Sequence, residues 1–253
     1  MLMMLLGIAI SLAAVAVIFV IVYFLVLVRP PKRTAPDEIL MRDYAHRGLH
    51  GENVPENSLT AFENACKAGY GIELDVQLSR DGVVMVFHDY SLLRMTGRDQ
   101  KLSELDAAEL TAICLMETTE TVPTFEQVLE LVDGRVPLLV ELKGEELDVS
   151  LCEKVAELLG NYKGAYCIES FNPLLVGNMK KRSLLNIALT AMALNVVARP
   201  DFIAYNKEDR ASLPVKISTG LYRAPKFVWT VNTREELDTA HKNSELAIFE
   251  NIF

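Results

Sequence analysis

Only four of the 253 residues are cysteine, Cys66, Cys114, Cys152 and Cys167, and no two of them form a Cys-x-x-Cys pair. That scatter gives no zinc site and no disulfide framework, and it agrees with free, mostly buried thiols on a cytoplasmic face. Positive charge is scarce as well, with 25 Lys and Arg against 34 Asp and Glu. Arg29, Lys32 and Arg33 are the only charges before Asp37, so the −9 of the whole chain less their +3 leaves −12 on the rest. So acidic a body argues against nucleic acid and against broad adsorption to anionic lipid. The chain has no internal repeat, a single tryptophan, Trp229, and four histidines.

Between Met4 and Val28 charge is missing altogether. A helix of that length crosses a hydrocarbon core about 30 Å thick. A cleaved signal peptide would put positive charge ahead of a shorter apolar run, whereas here the cations follow it. We therefore expect an uncleaved, single-pass transmembrane helix, with residues 1–33 as anchor and basic flank. That flank assigns the start of the chain to the outside and everything after Arg29 to the cytoplasmic side. Pro30, Pro31 and Pro36 suit a short stiff linker. Residues 34–253 then form one domain with a large core.

Within that domain, short β-like runs ending in polar residues alternate with helical stretches. Strands are expected near Asp43–His46, Gly71–Gln77, Pro137–Lys143, Ala165–Ser170, Asn186–Ala191, Asp201–Tyr205, Phe227–Val231 and Leu246–Asn251. Helices are expected at Leu59–Ala68, with Ser58 as N-cap and Gly69 past its end, and at Ser103–Cys114, Thr124–Leu131, Val149–Leu159 and Arg234–His241. Eight strands in alternation with helices, one of them (VPLLVEL) apolar on both faces, predict an α/β fold, a (β/α)₈ TIM barrel. Chemistry in such barrels gathers where strands end.

GIELDVQLS and VVMVFHD flank Asp81-Gly82, which reads as a two-residue hairpin turn pairing Arg80 with Val83. Counting outward sets Asp75 opposite His88 and gathers Glu73, Asp75, Gln77, Ser79 and His88 on one face. An amphipathic hairpin with a solvated polar face is the bland alternative. The rest of the chain weighs against it, because other strands also finish in ionisable groups: His46 and Arg47 on the first, Glu141 and Lys143 near VPLLVEL. Converged at a barrel mouth, Glu73, Asp75 and Glu141 repel one another unless a cation lies between them, and an all-oxygen donor set suits Mg²⁺ or Ca²⁺ better than Zn²⁺. An ion-pair network with Arg47 and Lys143 is the competing account. His46 and His88 close apolar runs beside these carboxylates, and two imidazoles titrating near neutrality can divide general-base and general-acid work. His50 and His241 lack that setting and read as ordinary loop and surface-helix residues.

AHRG (Ala45 to Gly48), PENS (Pro55 to Ser58), IELDVQ, the Asp81-Gly82 turn before FHD (Phe87 to Asp89), ELK (Glu141 to Lys143), SF (Ser170 and Phe171) and WTVN (Trp229 to Asn232) form an ordered set. From Tyr44 to Asn232 the chain resembles the glycerophosphodiester phosphodiesterase family. The resemblance implies a TIM barrel using one divalent cation to hydrolyse glycerophosphodiesters to an alcohol and glycerol 3-phosphate. It implies Glu73, Asp75 and Glu141 as metal ligands, His46 and His88 as the acid–base pair, and Arg47 and Lys143 as phosphate contacts. It also places Asn57 near the site, where a loop or helix-start role fits equally, and sets Trp229 to pack against glycerol, with a core role as its alternative. AIFENI lacks the family's Thr-Asp ending at the last strand, and the Phe171 to Asp201 stretch is short for a full barrel wall. Lysophospholipids or polyglycerol phosphate at the bilayer are the other enzymatic reading. A catalytically silent, membrane-tethered module is the third, but its signature, loss of a ligand or histidine, is missing.

Overall fold

The computed structural model describes residues 2–22, 38–144, 149–170, 202–221 and 223–252. Helix α1, Leu2–Val22, has 21 residues and no charged side chain. Its side chains are described only from Leu6, with a break at Ala9, and among the described residues no helix is long and apolar enough to cross a membrane.

Among the described residues the domain has seven parallel strands: β1 (Tyr44–Ala45), β2 (Gly71–Leu78), β4 (Leu138–Leu142), β5 (Tyr166–Glu169), β6 (Ile203–Asn206), β7 (Lys226–Val231) and β8 (Leu246–Phe249). Their order is β5-β4-β2-β1-β8-β7-β6, and β3 (Val84–Val86) runs antiparallel on β2. The first and last strands thus pair at the centre of the sheet, as a wrapped α/β sheet requires, and β5 and β6 are its ends among the described residues. The strand expected at Asn186–Ala191 lies outside the described residues.

Helix α2 (Leu59–Ala68) starts where Ser58 Oγ accepts from the Ala61 N–H and stops at Gly69 in the left-handed region. Helix α3 (Phe125–Val132) starts at Thr124, which forms a capping box with Gln127. Both ends follow from local capping chemistry. Helices α4 (Val149–Asn161) and α5 (Arg234–Lys242) are the other longer helices of the domain among the described residues. The long helix expected over Ser103–Cys114 is absent. A 3₁₀ turn at Leu102–Glu104 and a single helical turn at Ala107–Leu110 replace it. Asp106 starts the second turn with Glu109 as its capping-box partner, while Arg80 bonds both the Glu104 carbonyl and the Asp106 carboxylate. Those bonds hold the chain bent where periodicity alone would continue it.

The hairpin register also differs from expectation. Val76 pairs with Val86, Gln77 with Met85 and Leu78 with Val84, one residue away from the expected alignment. The loop has three residues, Arg80 to Gly82: the Ser79 N–H donates to Val83 O, the Val83 N–H to Ser79 Oγ, and Gly82 takes φ 77°. A type I turn ended by a left-handed glycine is the usual three-residue solution, and a one-residue slip exchanges faces. Asp75 therefore stands opposite Phe87, whose N–H donates to the Asp75 carbonyl. Met85 and Phe87 bury themselves in a separate cluster with Leu92, Leu102, Leu110 and Val122, on which the segment before α3 folds.

Side-chain parity sets the layers. Parallel partners share a face, so the registers Tyr44↔Gly71, Tyr44↔Ile248, Glu73↔Leu139, Asp75↔Glu141 and Glu141↔Glu169 place these residues on one side. Tyr44, Leu139, Phe227 and Ile248 make an apolar layer there. The other side, with Ile72, Leu74, Val76, Leu138, Val140, Val228 and Ala247, packs against the helices.

Candidate active site

Above the apolar layer, on the same side of the sheet, lie the ionisable groups. Glu73, Asp75 and Glu141 are buried, with exposures of 2%, 0% and 6%. One oxygen from each falls within 4.8 Å of the others. Asp75 Oδ1 and Glu141 Oε1 are buried without a well-directed hydrogen bond, although Lys143 Nζ approaches them at 3.2 and 2.7 Å. Three buried carboxylates with converging oxygens, two of them carrying an oxygen without a well-directed hydrogen bond, fit a hard divalent cation bound through oxygen.

Protonation reflects this crowding. Burial first, then Asp75, Glu169 and Glu141, push Glu73 well above its ordinary value. Burial, with Asp75 adding, raises Glu141 to about 7. Burial acts the same way on Asp75, but Lys143, His88, Arg47 and the Asn57 amide together outweigh it, so Asp75 is lowered and stays ionised. Burial opposes the charge on Lys143, yet Asp75 and Glu141 more than offset it and raise that group.

The AHRG and PEN segments acquire physical reasons. Arg47 (φ 55°) and Gly48 (φ 81°) turn the chain sharply after β1, which directs the Arg47 N–H onto Glu73 Oε2 at 2.9 Å. At Gly48 a Cβ would come within 2.9 Å of Ala61 and Phe62, so α2 can press against this turn only if no side chain is present. Asn57, also left-handed at φ 54°, donates from its backbone to Arg47 O and from Nδ2 to Asp75 Oδ2, both at 2.9 Å. It therefore touches a metal-ligand candidate while preceding the cap of α2. Arg47 Nε stands 3.6 Å from Asp75, and its Nη1 donates to Glu56 at 2.8 Å.

The two histidines sit alike. His46 Nδ1 meets Glu250 Oε2 at 2.8 Å and its Nε2 faces Glu73 at 4.0 Å. His88 Nδ1 meets Asp89 Oδ1 at 2.5 Å. An ionised carboxylate only accepts, so in each case Nδ1 carries the proton and Nε2 is the atom free to gain or lose one. Burial lowers His88, assisted by Arg47 and Lys143 and opposed by Asp75 and Asp89. His88 leaves the ladder just past Phe87, where Gln77 Nε2 lies 2.8, 3.1 and 2.9 Å from the carbonyls of Phe87, His88 and Asp89. It lines a cleft of about 300 Å³ together with Asp89, Tyr90, Glu141, Lys143 and Ser170.

Trp229 packs beside the apolar layer of Tyr44, Leu139, Phe227 and Ile248 and does not line that cleft. Three relevant residues escaped the sequence reading. Glu250 stands at the end of β8, where the Thr-Asp ending is missing; it is hydrogen-bonded by His46 and by Asn232 Nδ2, and its pKa is lowered, foremost by His46 and His50. His50, expected to be an ordinary loop residue, places Nε2 3.7 Å from that carboxylate. Glu169 adjoins Glu141, and burial together with Glu141 and Asp75 pushes it up to about 8. Strand parity was the available signal for Glu169, since it sits two residues past Cys167 on the inward side. His241 bonds Asp43 at 2.8 Å. All four cysteines are free, but only Cys152 is fully buried, fewer than expected.

Comparison with known proteins agrees with this arrangement. Residues 46–190 match the model of the glycerophosphoryl diester phosphodiesterase family. The chain belongs to that family. A glycerophosphodiester phosphodiesterase of Bacillus altitudinis is 34% identical over 173 residues, 62% of this chain and 69% of that protein. For two further bacterial relatives the matched stretch spans 51% and 60% of their length. Among solved structures, a glycerophosphodiester phosphodiesterase of Thermotoga maritima superposes with a TM-score of 0.68 at 25% identity, covering 82% of this chain and 94% of that one. A phosphodiesterase of Oleispira antarctica, solved with the product sn-glycerol-3-phosphate, gives 0.63 at 21% identity over 83% and 92%. By class the chain is a glycerophosphodiester phosphodiesterase.

Proposed function

We propose that the chain is a membrane-anchored, divalent-metal-dependent hydrolase that cleaves glycerophosphodiesters to an alcohol and glycerol 3-phosphate. The observation that carries this reading is the convergence of three buried carboxylates with two histidines, each backed at Nδ1 by its own acid. Glu73, Asp75 and Glu141 would hold the cation, Mg²⁺ or Ca²⁺. Once bound, it supplies Lewis-acid polarisation of a non-bridging phosphate oxygen. Arg47 and Lys143 offset the charge that develops on the phosphate. One Nε2 takes the proton of the nucleophile, water or the substrate's glycerol hydroxyl, and the other ring, acting as imidazolium, gives its Nε2 proton to the departing alcohol. If the glycerol hydroxyl attacks, the two rings exchange roles as water opens the cyclic phosphate to glycerol 3-phosphate.

Supporting the anchor is the run from Met4 to Val28, which carries no charged residue and includes most of α1. Its Leu6, Ile10, Leu12, Val15 and Phe19 side chains are 60% exposed or more. The acidic domain would lie on the cytoplasmic side of a single span.

The test is glycerol 3-phosphate release from glycerophosphocholine by the full chain in detergent, with Mg²⁺, with Ca²⁺ and with a chelator. Release should need a divalent ion and fall by about a thousandfold or more in Glu141→Gln. A folded protein that binds a divalent ion but releases nothing would redirect the search to lysophospholipids. One that binds none would favour the silent module. Loss of the chain from alkaline-washed membranes would remove the anchor.

A further inference from the structure

His88 and Arg47 approach the site from different loops, and a single side chain outside the cleft joins the groups that hold them. Arg94 Nε donates to Asp89 Oδ2 at 2.6 Å, while Nη1 and Nη2 donate to Glu56 Oε2 and Oε1 at 2.9 and 2.6 Å. The other Asp89 oxygen holds His88 Nδ1, and Glu56 Oε1 also accepts from Arg47 Nη1. The result is a chain of five groups, His88 to Asp89 to Arg94 to Glu56 to Arg47, in which every carboxylate is shared by two partners. Glu56 is 14% exposed and Asp89 26%, against 47% for Arg94. Those hydrogen bonds hold both carboxyls down, Asp89 to about 2.

From this we infer that Arg94 is a positioning residue, fixing the His88 imidazole and the Arg47 guanidinium relative to each other. This rests on the phosphodiesterase reading above. Arg94 does not line the cleft, so it acts only through the two carboxylates. Its geometry suits arginine alone: a planar fork spends one edge on Glu56 and Nε on Asp89, whereas a lysine ammonium is a point charge that serves one of them. Without it, Asp89 keeps only His88 and is free to rotate away from Nδ1, and Glu56 keeps only Arg47.

The experiment compares Arg94→Gln and Arg94→Lys in the full chain, each also built into His88→Ala, with Arg98→Gln as a control for surface charge. Arg94→Gln should lower kcat about tenfold or more, with a smaller rise in KM. Arg94→Lys should recover only a minor part, and Arg98→Gln should behave as the parent. In the His88→Ala background Arg94→Gln should cost much less, because the ring it orients is gone. An undiminished loss there, or full recovery by lysine, would overturn the inference. With ¹⁵N-labelled histidine, the His88 ring signals should report a proton fixed on Nδ1 in the parent and mixed tautomers in Arg94→Gln. Unchanged ring signals would reject the inference. That readout requires no turnover, so it stands even if the parent hydrolyses no glycerophosphodiester.

Discussion

The two halves of the sheet differ in what they bury. Strands β2 and β4 are buried along nearly their whole length, including every carboxylate they carry. Strands β6 and β7 leave half or more of their residues partly exposed. The first half holds Glu73, Asp75, Glu141, Lys143, Asn57 and Arg47 in one network. To the site itself the second half gives Glu250, which holds His46 and is anchored by Asn232. One half thus concentrates charge that is costly to bury without a counter-charge, and the other braces the His46 imidazole from the rim.

Three perturbations sharpen that contrast. If the second half serves chiefly to orient His46, Glu250→Gln should lower kcat about a hundredfold while leaving KM and metal affinity near those of the parent. A variant defective in metal binding instead would merge the two halves into one role. In the first half, Gly48→Ala combines an unfavourable φ with a clash against α2 and should cost about 2 kcal/mol of stability by thermal melting. A neutral result would mean that α2 moves aside without loss. The smallest effect concerns pH. Glu141 and Glu169 are raised from an ordinary 4.5 to about 7 and about 8. Without metal the folded state then holds more protons than the unfolded chain between about pH 4.5 and 8. Stability from these groups is complete below the unfolded value and lost as pH climbs through the folded ones. Melting in chelator should therefore fall from pH 5.5 to 8, and a divalent ion should restore more at pH 8 than at pH 5.5, since its ligands must be deprotonated. Equal restoration at both would argue against a carboxylate site.

The same contrast explains what could be read from the chain beforehand. Glu73, Asp75 and Glu141 were legible because strand alternation and strand-end position constrain them strongly, and β4 stood out as apolar on both faces. The hairpin register was not, because Asp81-Gly82 serves a two- or a three-residue loop, and the choice falls to the Ser79 and Val83 contacts. Arg94 and Glu56 look like solvated charges in a sequence, and their partners lie 38 residues apart. The bend at Asp106 depends on Arg80, 26 residues earlier, which no local periodicity reports. Glu250 was visible only as a departure from an expected ending, and its purpose emerged once β8 lay beside β1.

That neighbourhood bears on biogenesis. Strand β1 is two residues long and pairs with β8 some two hundred positions later, with the His46 N–H closing onto Phe249 O. A ribosome delivers the carboxylate cluster early, but His46 waits for nearly the whole polypeptide before it meets Glu250. Contacts of such sequence separation form slowly and late. The His46–Glu250 contact is therefore among the last to form, and it waits for β8 to dock beside β1.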